Sequence, residues 1–134
     1  MAINLGSSYF SMAFDDPEKI LAPARKALAT VTFDTVVGTG LSGALVVPIF
    51  AREFGTNFAV VRKPGESNHD IGSIVGRVGD RWLFVDDFIA SGATLRRVKA
   101  VMADLRQGTW GDPAGIDSEY VGAWLYQDAE FKPA

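Results

Sequence analysis

The sequence contains no cysteine, which excludes disulfides and thiolate zinc sites and leaves the redox compartment open. Its single histidine, His69, excludes a metal centre built from several imidazoles. Basic residues are not in surplus. The 13 Lys and Arg against 16 Asp and Glu give a net charge of -3, and with no basic arm nothing points to nucleic acid. Long hydrophobic runs are missing as well: the longest, from Gly43 to about Ala51, is far short of the ~20 residues of a membrane-crossing helix. The N-terminal MAINLGSSYF lacks a cationic stretch ahead of an apolar one, which argues against a secretory signal. The expectation is a cytoplasmic protein with no membrane partner.

What is present describes an α/β protein. A chain of 134 residues is the length of one domain, so residues 1–134 are read as a single unit. Asp16-Pro17-Glu18 has the cap, proline and acid of a helix start, and Ile20, Leu21, Ala24 and Leu28 come next at helical spacing. This first helix is expected to end near Thr30. Thr35-Val36-Val37, stopping at Gly38, reads as a buried strand. A second helix is predicted from Ser42 to about Glu53, bent at Pro48. Strands are predicted at Phe58 to Val61, Ile74 to Val78, Trp82 to Val85 and Tyr120 to Tyr126, with Gly79-Asp80 as a turn between two of them. Leu95, Val98, Val101, Met102 and Leu105 form the apolar face of a third helix, leaving Arg96, Arg97, Lys99 and Arg106 to face elsewhere. Alternation of strands and helices predicts a mostly parallel central sheet flanked by helices on both faces. Residues 1–14 do not fit the alternation and are assigned only as an extended edge segment.

The chemistry concentrates in Trp82 to Thr94, WLFVDDFIASGAT. An apolar strand delivers Asp86 and Asp87 at its C-terminal end, the edge where open α/β sheets bind ligands. Adjacent carboxylates on extended backbone point in opposite directions, so their roles differ: one can accept hydrogen bonds from the vicinal hydroxyls of a ribose while the other braces the loop or lies near a metal ion. Ala90-Ser91-Gly92-Ala93-Thr94 then turns into a helix. Its backbone N–H groups and the Ser91 and Thr94 hydroxyls suit a phosphate, and its small residues let the backbone approach the anion closely.

Gly38-Thr39-Gly40-Leu41-Ser42-Gly43 joins the first strand to the second helix, and such a loop can present several N–H groups to an anion. The same residues spell G-x-G-x-x-G, the dinucleotide fingerprint, for which an acid is wanted at the end of the second strand. That place holds Arg62 and Lys63. Arg62 could serve a 2′-phosphate, so a small NADP-binding Rossmann-like protein stays as an alternative.

Trp82 to Thr94 resembles the phosphoribosyl-pyrophosphate (PRPP) motif of the type I phosphoribosyltransferases, and the looser resemblance runs from about Thr30 to Tyr126. It implies that Asp86 and Asp87 take the ribose, and that the loop from Phe88 and Ile89 through Ala90, Ser91, Gly92, Ala93 and Thr94 takes the 5-phosphate. It further implies that Thr39, Gly40, Leu41, Ser42 and Gly43 contact the diphosphate, with Arg62 and Lys63 as the basic residues that reach it. The segment RKPGESNHD is similar to the flexible loop of orotate and adenine phosphoribosyltransferases. It offers His69 as a diphosphate contact or as a solvated loop residue, and Glu66 stands at or beside the place of an expected second lysine.

By that resemblance the protein is a Mg²⁺-dependent enzyme of nucleotide salvage. Asp86, Asp87 and Lys63 are its catalytic residues, and its partners are PRPP, an unidentified base and, as a possible homodimer, a second copy. A non-catalytic PRPP sensor of the same fold is the other implied function. Ala90 stands where hypoxanthine-guanine members carry an acid, and the short tail after Tyr126 implies a reduced hood over the base. Trp124 and Tyr126 are weighed as ring-stacking residues, with core packing favoured for Trp124, and Lys132 as a contact to a carbonyl oxygen.

Overall fold

The computed structural model describes residues 16–63, 73–108 and 115–134; the extended segment expected at residues 1–14, the loop with His69 and the hood contributions of residues 1–14 lie outside them. Helix α1, Glu18–Ala27, begins where the sequence places it: Asp16 Oδ1 accepts the Glu18 N–H at 3.1 Å. The chain then enters β1, Thr35–Thr39, and α2, Gly40–Phe54, which continues through Pro48. Strands β2, Asn57–Val61, and β3, Ile74–Gly76, precede β4, Arg81–Asp86. Helix α3, Ala93–Asp104, is prolonged by a 3-10 turn. The chain ends in β5, Glu119–Leu125, and β6, Glu130–Pro133.

The six strands form one sheet in the order β3-β2-β1-β4-β5-β6. Pairs β1–β2, β1–β4 and β4–β5 are parallel, while β3 and β6 run antiparallel at the two edges. Alternation of side chains along each strand divides the core in two. Val36, Leu83, Val85 and Trp124 meet α1 and α2 through Ile20, Leu21, Val47 and Phe50. On the other face Val37, Phe84 and Ala123 meet α3 through Val98, Met102 and Leu105. The strands buried on both faces are the near-continuous apolar runs that parallel sheets require. Among the described residues, no helix is long and apolar enough to cross a membrane.

Three expectations need correction. Gly79-Asp80 is no hairpin turn, because β3 pairs with β2 and two strands separate it from β4. The connection is held by Asp34 instead: its carboxylate accepts the N–H groups of Asp80 and Arg81 at 2.8 and 3.1 Å and the Thr35 hydroxyl at 2.8 Å. Thr35 Oγ1 in turn accepts the Gly79 N–H at 2.8 Å. Second, the tail after Tyr126 is a strand. A polar turn at residues 126–129 carries β6 back along β5; four residues, half of them polar, give too weak an alternation to be read from sequence. Third, α2 begins at Gly40 and not at Ser42, so Gly38 to Gly43 is a direct strand-to-helix junction with no separate loop.

The Asp34 knot yields a stability prediction. Burial raises the Asp34 carboxyl pKa, but the N–H groups of Asp80 and Arg81 and the Thr35 hydroxyl outweigh it and hold the pKa below its ordinary value. A depressed folded-state pKa contributes stability that is present above the unfolded pKa and lost as pH falls through the folded one. Asp34→Asn turns an amide nitrogen toward an N–H donor and is expected to cost on the order of 1–2 kcal/mol at pH 7, with the gap from wild type closing below about pH 4. Urea denaturation of both proteins across pH 3 to 8 is the measurement.

Candidate functional site

The parallel strands β1, β2 and β4 end on the same edge of the sheet, and the residues beyond their ends surround a cleft of about 260 Å³. Thr39 and Ser42 come from the β1–α2 junction and Lys63 from beyond β2. Phe84, Asp86 and Asp87 come from β4 and its end, Phe88 to Gly92 from the loop after it, and Thr94 and Leu95 from the first turn of α3. Most of the expected site is therefore assembled around one cavity, from segments as far apart in sequence as Thr39 and Thr94.

The acid pair is oriented by its own backbone. The Asp87 N–H donates to Asp86 Oδ1 at 2.9 Å, and the Phe88 N–H donates to Asp87 Oδ1 at 2.8 Å. Behind the pair, β5 continues the sheet, with the Tyr126 and Gln127 N–H groups donating to the Asp86 and Asp87 carbonyls. The Asp86 carboxyl is pushed up to about 7, first by burial and then by the Asp87 carboxyl beside it; the Asp87 N–H and the charge of Lys63 act in the opposite direction. The same region drives the Tyr126 phenol pKa upward, by burial first and then by the charges of Asp87 and Asp86.

Beyond the acids the chain forms a small-residue loop that turns at Gly92, whose φ of 82° is the left-handed conformation glycine adopts without strain. The Ala93 N–H donates to Ser91 Oγ at 3.3 Å, and no side chain of the cap residue itself closes the start of α3. A helix start of this kind, opening on a cleft, is a ready acceptor of an anion.

At the β1–α2 junction Gly40 takes a φ of 69°, and a Cβ built there would lie 2.6 Å from Cε of Lys63. The Lys63 side chain thus lies across the bare backbone of the junction. Gly38 and Gly43 serve packing: a Cβ on Gly43 would sit 2.9 Å from the Gly38 carbonyl carbon, and one on Gly38 would strike Val47. These glycines bring α2 close against β1.

Several expected residues stand elsewhere. Leu41 is 72% exposed on the outer side of α2 and Gly43 is buried against β1; neither lines the cleft, nor do Gly40, Arg62 and Ala93. Trp124, fully buried, and Tyr126, 4% exposed, belong to the core and present no ring face to the cleft. Lys132 pairs in register with Ala123, level with the middle of β4, and does not line the cleft. His69 lies outside the described residues. Phe84 and Leu95 also line the cleft and were not among the expected site residues. Among the described residues no group of three or more His, Asp or Glu forms a metal cage.

No family model matches the chain, and no curated protein matches it. Solved structures do. The adenine phosphoribosyltransferase of Thermoanaerobacter pseudethanolicus aligns with a TM-score of 0.54 at 22% identity, over 89% of this chain and 73% of that one. The orotate phosphoribosyltransferase of Mycobacterium tuberculosis, in complex with PRPP, aligns with a TM-score of 0.52 at 25% identity, over 78% and 57%. The UMP synthase of Leishmania donovani aligns at 0.55 and 18% identity, over 95% and 29%. The fold is that of the type I phosphoribosyltransferases. The chain spans little more than half of the orotate enzyme and under a third of the UMP synthase.

The raised Asp86 carboxyl has a direct consequence for stability. A folded-state pKa above the unfolded value means stability that is fully present below about pH 4 and is lost as pH rises through about 7. Asp86→Asn, which mimics the protonated acid, is expected to melt higher than wild type above pH 7, by roughly 4 °C or more, with the difference vanishing toward pH 4. Thermal denaturation across that range is the measurement.

Proposed function

We propose that the cleft binds PRPP and that the protein transfers its phosphoribosyl group to a nitrogenous base with release of diphosphate. The observation that carries this reading is the convergence of an acid pair, a small-residue helix start and a lysine laid over a glycine junction around one cavity, within a phosphoribosyltransferase fold. Asp86 and Asp87 accept hydrogen bonds from the ribose hydroxyls. Ala90 to Thr94 hold the 5-phosphate through backbone N–H groups and hydroxyls. Thr39, Ser42 and Lys63 face the diphosphate, where a cation counts most, because the leaving group gains negative charge in the transition state.

A magnesium ion fits this donor set. Mg²⁺ is held by one or two carboxylates together with substrate phosphate oxygens, without an all-protein cage, and Asp86 and Asp87 are the carboxylates that line the cleft. When bound it would supply charge neutralisation at the diphosphate. The chain's own contribution is positional: it holds ribose and diphosphate in one cleft, the hydroxyls toward the acids and the diphosphate toward Lys63. No covalent nucleophile is needed.

Isothermal calorimetry tests the reading. PRPP is expected to bind in a Mg²⁺-dependent manner, and the double variant Asp86→Asn/Asp87→Asn to bind on the order of 100-fold more weakly, as expected for losing two hydrogen bonds to charged groups. Unchanged affinity in that variant would remove the site assignment. Diphosphate release on adding a panel of purines, pyrimidines and simple amides distinguishes an enzyme from a PRPP sensor, which would bind without release. Binding of NADP⁺ in place of PRPP would move the protein to dinucleotide chemistry.

A further inference from the structure

Arg97 lies in the second turn of α3, behind the cleft wall. Its Nη1 donates to the Arg62 carbonyl at 2.7 Å and its Nη2 to Thr39 Oγ1 at 2.8 Å. Thr39, 4% exposed, donates that hydroxyl in turn to the Val61 carbonyl at 2.7 Å. One guanidinium thus ties α3 to the tips of β1 and β2. Gly40 and Lys63 are the next residues along these two tips, and the Lys63 side chain crosses Gly40.

Two features make this more than a packing contact. The planar fork of arginine fixes both bonds at once, which a lysine ammonium cannot reproduce. Moreover, no carboxylate among the described residues pairs with Arg97. Among those residues its guanidinium meets two neutral oxygens, so it adds positive potential under the Thr39 and Lys63 wall. The acids of the cleft, Asp86 and Asp87, sit at the end of β4 on the other wall.

We infer that Arg97 is a positioning residue for the diphosphate half of the cleft, holding the Thr39–Gly40 junction and the start of the Lys63 segment against α3. The inference rests on the PRPP reading of the site and names the half of that ligand it serves. It predicts a split between ligands. PRPP carries the diphosphate; ribose 5-phosphate carries only the part that meets Asp86, Asp87 and the Ala90 to Thr94 loop.

The test is calorimetry of PRPP and of ribose 5-phosphate, each with Mg²⁺, on the full chain. Arg97→Met is expected to weaken PRPP about tenfold or more, the size of one or two charge-assisted hydrogen bonds, and to leave ribose 5-phosphate within about twofold. Arg97→Lys, keeping the charge without the fork, should fall between wild type and Arg97→Met. Arg97→Gln, which keeps a planar amide donor but neither the fork nor the charge, should show the same PRPP-selective loss and decides the matter if Arg97→Met does not fold. Equal weakening of both ligands would reduce Arg97 to a structural role, and no weakening of either would overturn the inference while leaving the site intact. A wild type that binds neither ligand would overturn the site reading itself.

Discussion

The edge of the sheet that bears the cleft is organised around one electrostatic problem: two adjacent carboxyl groups held at the end of a buried strand. Burial and mutual repulsion favour the protonated form of Asp86, and Lys63 on the opposite wall only partly offsets them. A globular protein selected for stability alone would place an apolar residue or an arginine there. Retaining the pair is intelligible if a ligand supplies what the protein leaves out, as hydroxyl donors and a hard cation do. Local conflict of this kind commonly marks a functional position.

The other wall is governed by close approach. Gly38 and Gly43 let α2 pack against β1 at backbone distance, and Gly40 turns the chain while leaving room for Lys63. A side chain at Gly38 or Gly43 would push α2 off β1, and one at Gly40 would displace the Lys63 side chain. The two walls are therefore matched. One concentrates negative charge at a strand end, and the other lays a single cation over bare backbone, with Arg97 fixing the tips of the strands that carry it.

Much of this could be read from the sequence, because the informative signals are local. The apolar run ending in Asp86-Asp87, the Ser91 to Thr94 turn and the apolar face of α3 each depend on neighbours within one or two turns of chain. What could not be read depends on partners distant in sequence. Thr39 and Arg97 meet across α3 and two strand tips, and neither has a local pattern that announces the other. Trp124, favoured as a core residue and found in the core, shows how close such a choice is. An aromatic near a strand end can stack on a ligand or fill the core, and only the side of the sheet it faces decides; a bulge where Trp82 and Leu83 pair with Tyr120 and Gly122 resets that side. The strand β6 was illegible because antiparallel edge strands need little hydrophobic patterning when one face and one edge meet solvent.

Topology weighs against the dinucleotide reading of the glycine fingerprint. A dinucleotide fold builds its site from βαβαβ halves, in which the second and third strands are both parallel to the first and joined by a helix. Here the strand after β2 is its antiparallel partner, β3, with Ala59 opposite Gly76 and Val61 opposite Ile74. A right-handed helical crossover joins parallel strands only, so this pair cannot supply the second unit. The glycines perform the same service in both architectures, a tight turn and close helix packing, which explains why the string appears. The residues at the end of β2 distinguish the two. In place of an acid for a ribose hydroxyl there is Lys63 over Gly40, a cation aimed at the junction where an anion would bind, and the acids that would hold a ribose stand at the end of β4. The charge order along this edge, basic beyond β2 and acidic beyond β4, suits a ligand that turns its diphosphate to the lysine and its hydroxyls to the acids.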